Sequence, residues 1–118
     1  MIKAINDNKV FQRINRLGYK VFNPNFLIII CDKATVFKYH PELQADDLCY
    51  YGIRISKKVG KAVVRNKIRR RLKSIIHQLD KTEELKSKAF MIVPRSKCFS
   101  CEFQALFKAV EKSFKGLK

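Results

Sequence analysis

Acidic side chains are scarce in this chain. Ten Asp and Glu stand against 26 Lys and Arg in 118 residues, a formal charge of +16, and between Leu48 and Leu79 there is no acid at all. A chain so unbalanced repels itself unless a polyanion neutralises it, so the composition argues for a nucleic-acid partner. Long apolar runs are missing too: none approaches the roughly 20 residues that a membrane-spanning helix needs. The opening MIKAINDNKVFQ also lacks the uninterrupted apolar core of a secretory signal. The expectation is a cytosolic protein with no membrane partner.

Patterns that carry chemistry are equally thin. The two histidines, His40 and His77, are isolated, and the chain has no paired-carboxylate motif, no H-E-x-x-H, no nucleophile elbow and no glycine-rich phosphate loop. The dipeptides Asp46-Asp47 and Glu83-Glu84 read as solvated loop residues. No catalytic or metal-ligating residue is therefore assigned. Cys98 and Cys101 form a C-x-x-C, which suits half a zinc site, a redox pair or two neighbouring thiols. Cys31 and Cys49 supply no second pair, so reduced thiols in a cytosolic protein are the favoured reading.

What is present is enough for one folded domain. With 47% hydrophobic residues and neither repeats nor low complexity, residues 1–118 are read as a single folded domain with its own core. Asn6, Asp7 and Asn8 offer N-caps to a helix carrying Val10, Phe11, Ile14 and Leu17, with Gly18 as its stop. Tyr19 to Phe22 and Phe26 to Cys31 read as strand, interrupted by Pro24, and the continuous run FLIIIC predicts a strand covered on both faces. Asp32 to Leu48 reads as a loop. Cys49 to Ser56 returns to strand, with Tyr51, Ile53 and Ile55 on one face and Arg54 on the other.

From Lys61 to Leu79 a helix is predicted, its apolar stripe made of Val64, Ile68, Leu72, Ile75, Ile76 and Leu79. Phe90 to Val93 is a buried strand stopped by Pro94. Ser100 caps a last helix that carries Phe103, Leu106, Phe107, Val110 and Phe114. The order gives an α+β sandwich with helices on a small sheet, and the strand–helix–strand unit from Cys49 to Val93 is of the kind that ordinarily forms a right-handed parallel crossover.

The positive charge is superimposed on that helical period. Between Arg65 and Lys73 six of nine residues are Lys or Arg, and the exceptions include Ile68 and Leu72, four apart on one face. Asn66, Arg69, Arg70 and Lys73 fall opposite the stripe, whereas Arg71 falls beside it, where its stem can pack while its head reaches outward. A merely solvated basic tail needs no such spacing.

The run Ser56-Lys57-Lys58-Val59-Gly60-Lys61-Ala62-Val63-Val64-Arg65-Asn66-Lys67-Ile68-Arg69-Arg70 resembles the RNR signature of the bacterial ribonuclease P protein component. Phe11-Gln12-Arg13-Ile14, the glycine-containing strand before the motif, and the strand ending at Pro94 extend the resemblance over essentially the whole chain. It implies an α-β-β-β-α-β-α fold like the second domain of ribosomal protein S5, with a left-handed crossover. It also implies a noncatalytic subunit of an endonucleolytic holoenzyme. Such a subunit pairs one-to-one with ribonuclease P RNA, binds the 5′ leader of precursor tRNA and assists its removal. On this reading Mg²⁺ acts with the RNA, and the protein alone binds no cofactor.

The resemblance assigns RNA contact to Lys57, Lys58, Lys61, Arg65, Asn66, Lys67, Arg69, Arg70 and Lys73. The chemistry agrees, because several cationic heads suit phosphates and Arg can engage them bidentately. Phe11 matches an aromatic of the family's leader-binding cleft, where stacking on a base contributes about 1–3 kcal/mol, although its place on the helix's apolar side also suits it to the core. Asn15 and Ile29, the other two cleft positions, stand where the family commonly has a phenylalanine and a tyrosine. Arg71 replaces a residue that is often apolar.

Overall fold

Asp7 turns the chain into its first helix: its carboxylate accepts a hydrogen bond from the Lys9 N–H at 2.9 Å, satisfying one of the donors left over at a helix start. In this computed structural model, which describes residues 2–5, 7–38, 49–81, 85 and 88–115, helix α1 runs Asn8–Leu17 and buries Phe11 and Ile14. Gly18 ends it with an extended backbone, not the left-handed turn usual for a terminal glycine. Its smallness is required instead by the neighbouring strand, since a Cβ there would lie 2.4 Å from Ile29 Cγ2.

Strands β2 (Tyr19–Asn23) and β3 (Phe26–Asp32) then form an antiparallel hairpin around Pro24. Asn23 accepts from the Asn25 N–H at 2.8 Å, a side-chain mimic of a backbone turn. A one-turn helix α2 (Lys33–Val36) follows, within the segment read as loop; residues 39–48 of that segment lie outside the described residues. Strand β4 spans Cys49–Ile53, a 3₁₀ turn Lys57–Val59, helix α3 Ala62–Leu79, strand β5 Lys88–Pro94, helix α4 Lys97–Ser100 and helix α5 Phe103–Lys115. Strand β1 (Ile2–Ala4) lies at the edge of the sheet beside β4.

The five strands make one mixed sheet in the order β1-β4-β5-β3-β2. β5 is central, antiparallel to β3 and parallel to β4 across the α3 connection. β3 is covered on both faces, as its unbroken apolar run predicts. Phe26, Ile28 and Ile30 join the core under α3 and α5, while Ile29 and Cys31 join the core under α1 and α2. On the first face Ile68, Leu72, Ile75, Ile76 and Leu79 of α3 are fully buried, and the Phe90 and Phe114 rings meet edge-on at 4.8 Å between centroids.

One expectation is corrected by these elements, and one strand is additional to those expected. Ser100 does not cap the last helix; it is the final residue of α4, its hydroxyl donating to the Lys97 carbonyl. β1 has no signal of its own because three residues are too few to establish an alternation: the strand exists through pairing with β4, extended by the Ile5 N–H to Tyr51 carbonyl bond at 2.7 Å.

One close approach fixes α1 on the sheet. A Cβ on Gly52 would stand 2.0 Å from Phe11 Cε1, so the ring rests directly on β4 backbone. Gly52→Ala should therefore lower unfolding stability by about 1–3 kcal/mol through overpacking. In a double-mutant cycle read by urea unfolding, Phe11→Leu, which removes the clashing ring atoms, should reduce that penalty.

Candidate nucleic-acid interface

The basic surface is assembled from two consecutive elements. Ser56 opens the 3₁₀ turn, its hydroxyl accepting from the Lys58 N–H at 3.2 Å, and Lys57, Lys58 and Lys61 all project into solvent. Helix α3 follows at once. Its exposed positions include Asn66, Lys67, Arg70 and Lys73, with Arg65 and Arg69 half-buried at the flanks. The helix thus divides as its period predicts, apolar side on the sheet and cations outward. Among the described residues no carboxylate pairs with any of these cations; Lys88 with Asp32 and Lys115 with Glu111 form ion pairs elsewhere.

These side chains differ in freedom. The Arg65 Nε donates to the Gly60 carbonyl at 3.2 Å, which ties the turn to the helix and leaves the terminal nitrogens of the guanidinium to reach outward. Arg69 donates to Asn66 Oδ1 at 3.2 Å, and the Lys67 ammonium sits 4.8 Å from the centroid of the Phe99 ring, a cation–π contact. Arg70 and Lys73 are the exposed, unrestrained members.

A groove of about 620 Å³ opens on the opposite face of the sheet, beside α1, and its lining includes Phe11, Asn15, Leu27, Ile29, Arg54 and Ser56. The three cleft positions named from the sequence are thus brought together in one groove. They contribute unequally. Asn15 is exposed, Ile29 is 1% exposed and forms part of the floor, and Phe11 is 8% exposed, lodged on Gly52 with the Arg54 guanidinium 5.3 Å from its ring centroid. Ser56 both lines the groove and caps the basic turn, so the two features adjoin along the chain at this residue. Sequence reasoning placed Arg54 on the side of β4 away from Tyr51 but gave it no role; the glycine two residues before it, next to an aromatic helix, was the available signal.

Arg71 departs from its expected outward reach. Its guanidinium turns back and donates to the carbonyls of Cys98 and Phe99, both at 3.0 Å, and to that of Cys101. These are the carbonyls left over at the end of α4, which a cation satisfies well. The four cysteines are free thiols. Burial pushes the Cys49 thiol up to about 12 and the Cys98 thiol up to about 11, which keeps both protonated and unreactive at neutral pH.

Fold and surface together define a small α+β protein built to hold a polyanion, with a grooved sheet on one side and a cationic helix on the other. The family described as Ribonuclease P matches residues 3–118. The chain belongs to that family. It is 33% identical over 114 residues to the ribonuclease P protein component of Rickettsia bellii, covering 95% of this chain and 91% of that protein. A second relative, the ribonuclease P protein component of Helicobacter pylori, is 34% identical over 115 residues, 89% of this chain and 70% of that protein. The solved structure of the Staphylococcus aureus RNase P protein superposes with a TM-score of 0.75 at 28% identity, covering 98% of this chain and 94% of that one. This chain is accordingly a ribonuclease P protein subunit, with its role in processing the 5′ end of tRNA.

Arg71 supplies a prediction that separates it from its neighbours on the helix. Arg71→Leu should cost about 1.5–3 kcal/mol in urea unfolding, because buried or half-buried carbonyls lose a charged donor. The dependence of RNA affinity on salt should stay unchanged.

Proposed function

We propose that this subunit docks on the RNA of ribonuclease P through Lys57, Lys58, Lys61 and the outward face of α3, and holds the 5′ leader of precursor tRNA in the groove beside α1. The observation that carries this reading is that the groove lining and the basic elements follow one another directly along the chain. Arg54 and Ser56 line the groove, the basic turn begins at Lys57, and α3 begins at Ala62. Among the described residues no carboxylate lines the groove or pairs with the cations of the turn and helix that follow it, so none of these stands against the phosphates of a bound strand.

The chemical step on this reading belongs to the RNA. The described side chains bring no carboxylate or histidine into the groove lining, so the protein contributes binding and charge. Neutralising phosphates lowers the repulsion between leader, tRNA and catalytic RNA, and so lowers the Mg²⁺ concentration at which the RNA assembles its metal-dependent centre. The metal ions act with the RNA, one protein serves each RNA, and the complex works in the bacterial cytoplasm.

Reconstitution with the cognate RNA tests the proposal. At low Mg²⁺ the protein should accelerate removal of the leader, and affinity for leader-bearing tRNA should exceed that for mature tRNA; equal affinities would make the chain a general RNA-binding protein instead. Arg70→Ala should weaken RNA binding and lower the slope of log affinity against log salt by about 0.9, the value for one duplex phosphate contact. Arg65→Ala should do both and also destabilise the fold, because it removes the tie to Gly60.

A further inference from the structure

Among the described residues the groove carries a single cation in its lining, Arg54, and that cation is placed by the fold. The backbone N–H of Arg54 donates to the Ile92 carbonyl at 3.0 Å, continuing the β4–β5 pairing one residue beyond Ile53. Alternation along β4 sends Tyr51 and Ile53 toward α3, and Gly52 and Arg54 toward α1. The Arg54 guanidinium comes to lie 5.3 Å from the Phe11 ring centroid while the side chain stays exposed. It forms no hydrogen bond or ion pair with any described residue.

The ring itself is poorly placed to receive a base. Phe11 is 8% exposed, its edge is pressed on Gly52, and Arg54 lies over it. The remaining groove positions offer no other ring: Asn15 presents an amide, and Ile29 is buried in the floor. A guanidinium held over a ring is restricted in its rotamers, so less entropy is lost when it binds, and its edge still carries N–H donors in the fork that matches a phosphate.

We propose that Arg54 is the group that captures a phosphate of the RNA strand in this groove, and that Phe11 acts as the platform that orients the guanidinium instead of as a stacking surface for a base. This rests on the reading that the groove holds the 5′ leader. It makes strand capture in this protein depend on backbone charge more than on base identity.

The experiment uses the reconstituted holoenzyme and measures affinity for precursor tRNA and for mature tRNA across a salt series. Arg54→Gln should lose about three- to tenfold in affinity for leader-bearing tRNA, an exposed charged contact being modest in strength. It should leave mature tRNA unaffected and lower the salt slope by about 0.7, the value for one single-strand phosphate. Arg54→Lys should restore the slope. Replacing leader linkages one at a time by neutral methylphosphonates should reveal one position at which wild type falls to the level of Arg54→Gln and the variant loses nothing more. If wild type prefers leader-bearing tRNA and Arg54→Gln keeps that preference and the full slope, the assignment of Arg54 is overturned while the leader reading stands. If wild type shows no preference for leader-bearing tRNA, both fall together.

Discussion

Burial of one face of α3 is the interaction on which the rest of this molecule depends. Ile68, Leu72, Ile75, Ile76 and Leu79 are fully withdrawn from water against the sheet, each worth about 1.5–3 kcal/mol in apolar transfer. The exposed cations on the other side repel one another by about 1 kcal/mol or less per close pair in water, and screening by salt weakens this further. The apolar term wins, so a chain of net charge +16 keeps a dense row of cations on an ordered scaffold. Repulsion that is tolerated in the free protein is then relieved when a polyanion binds.

The second constraint is the contact between Phe11 and Gly52. With no Cβ on β4 at that point the ring can lie on the strand, α1 sits close against the sheet, and the space beside it becomes a groove. The same contact sets the use of the neighbouring residue, because Arg54 emerges on the α1 side of β4 and its guanidinium comes to rest over the ring. Packing and binding chemistry are therefore coupled in three residues. Phe11 is at once a core residue and part of the groove lining, with the Arg54 guanidinium over its ring.

Much of this was legible before any coordinate. The stripe from Val64 to Leu79, the doubly covered strand through Ile28 and Ile29, and the cap at Asp7 rest on local spacing, and local spacing is visible in a linear chain. Elements that owe their existence to distant partners were not. β1 is a strand because β4 lies beside it, and α4 is a separate turn whose terminal carbonyls are held by Arg71, 27 to 30 residues earlier. Arg71 shows the difference within a single residue. Helical phase placed it beside the apolar stripe, but whether its head turns to solvent or to a carbonyl depends on what lies across the interface.

By itself, then, the sequence determined the excess of positive charge that argues for a polyanion partner, which helix carries that charge and which face of the helix is buried, because composition and period are properties of neighbours along the chain. It also carried the family signature from Ser56 to Arg70. Tertiary structure alone decided that Arg54 joins Phe11, Asn15 and Ile29 in one groove, that Arg65 is partly engaged in holding its own turn, and that Arg71 is withdrawn from the cationic face. Each of these turns on which atoms meet across the sheet, and side-chain roles at such contacts are set by the shape and polarity of partners that the linear order does not reveal.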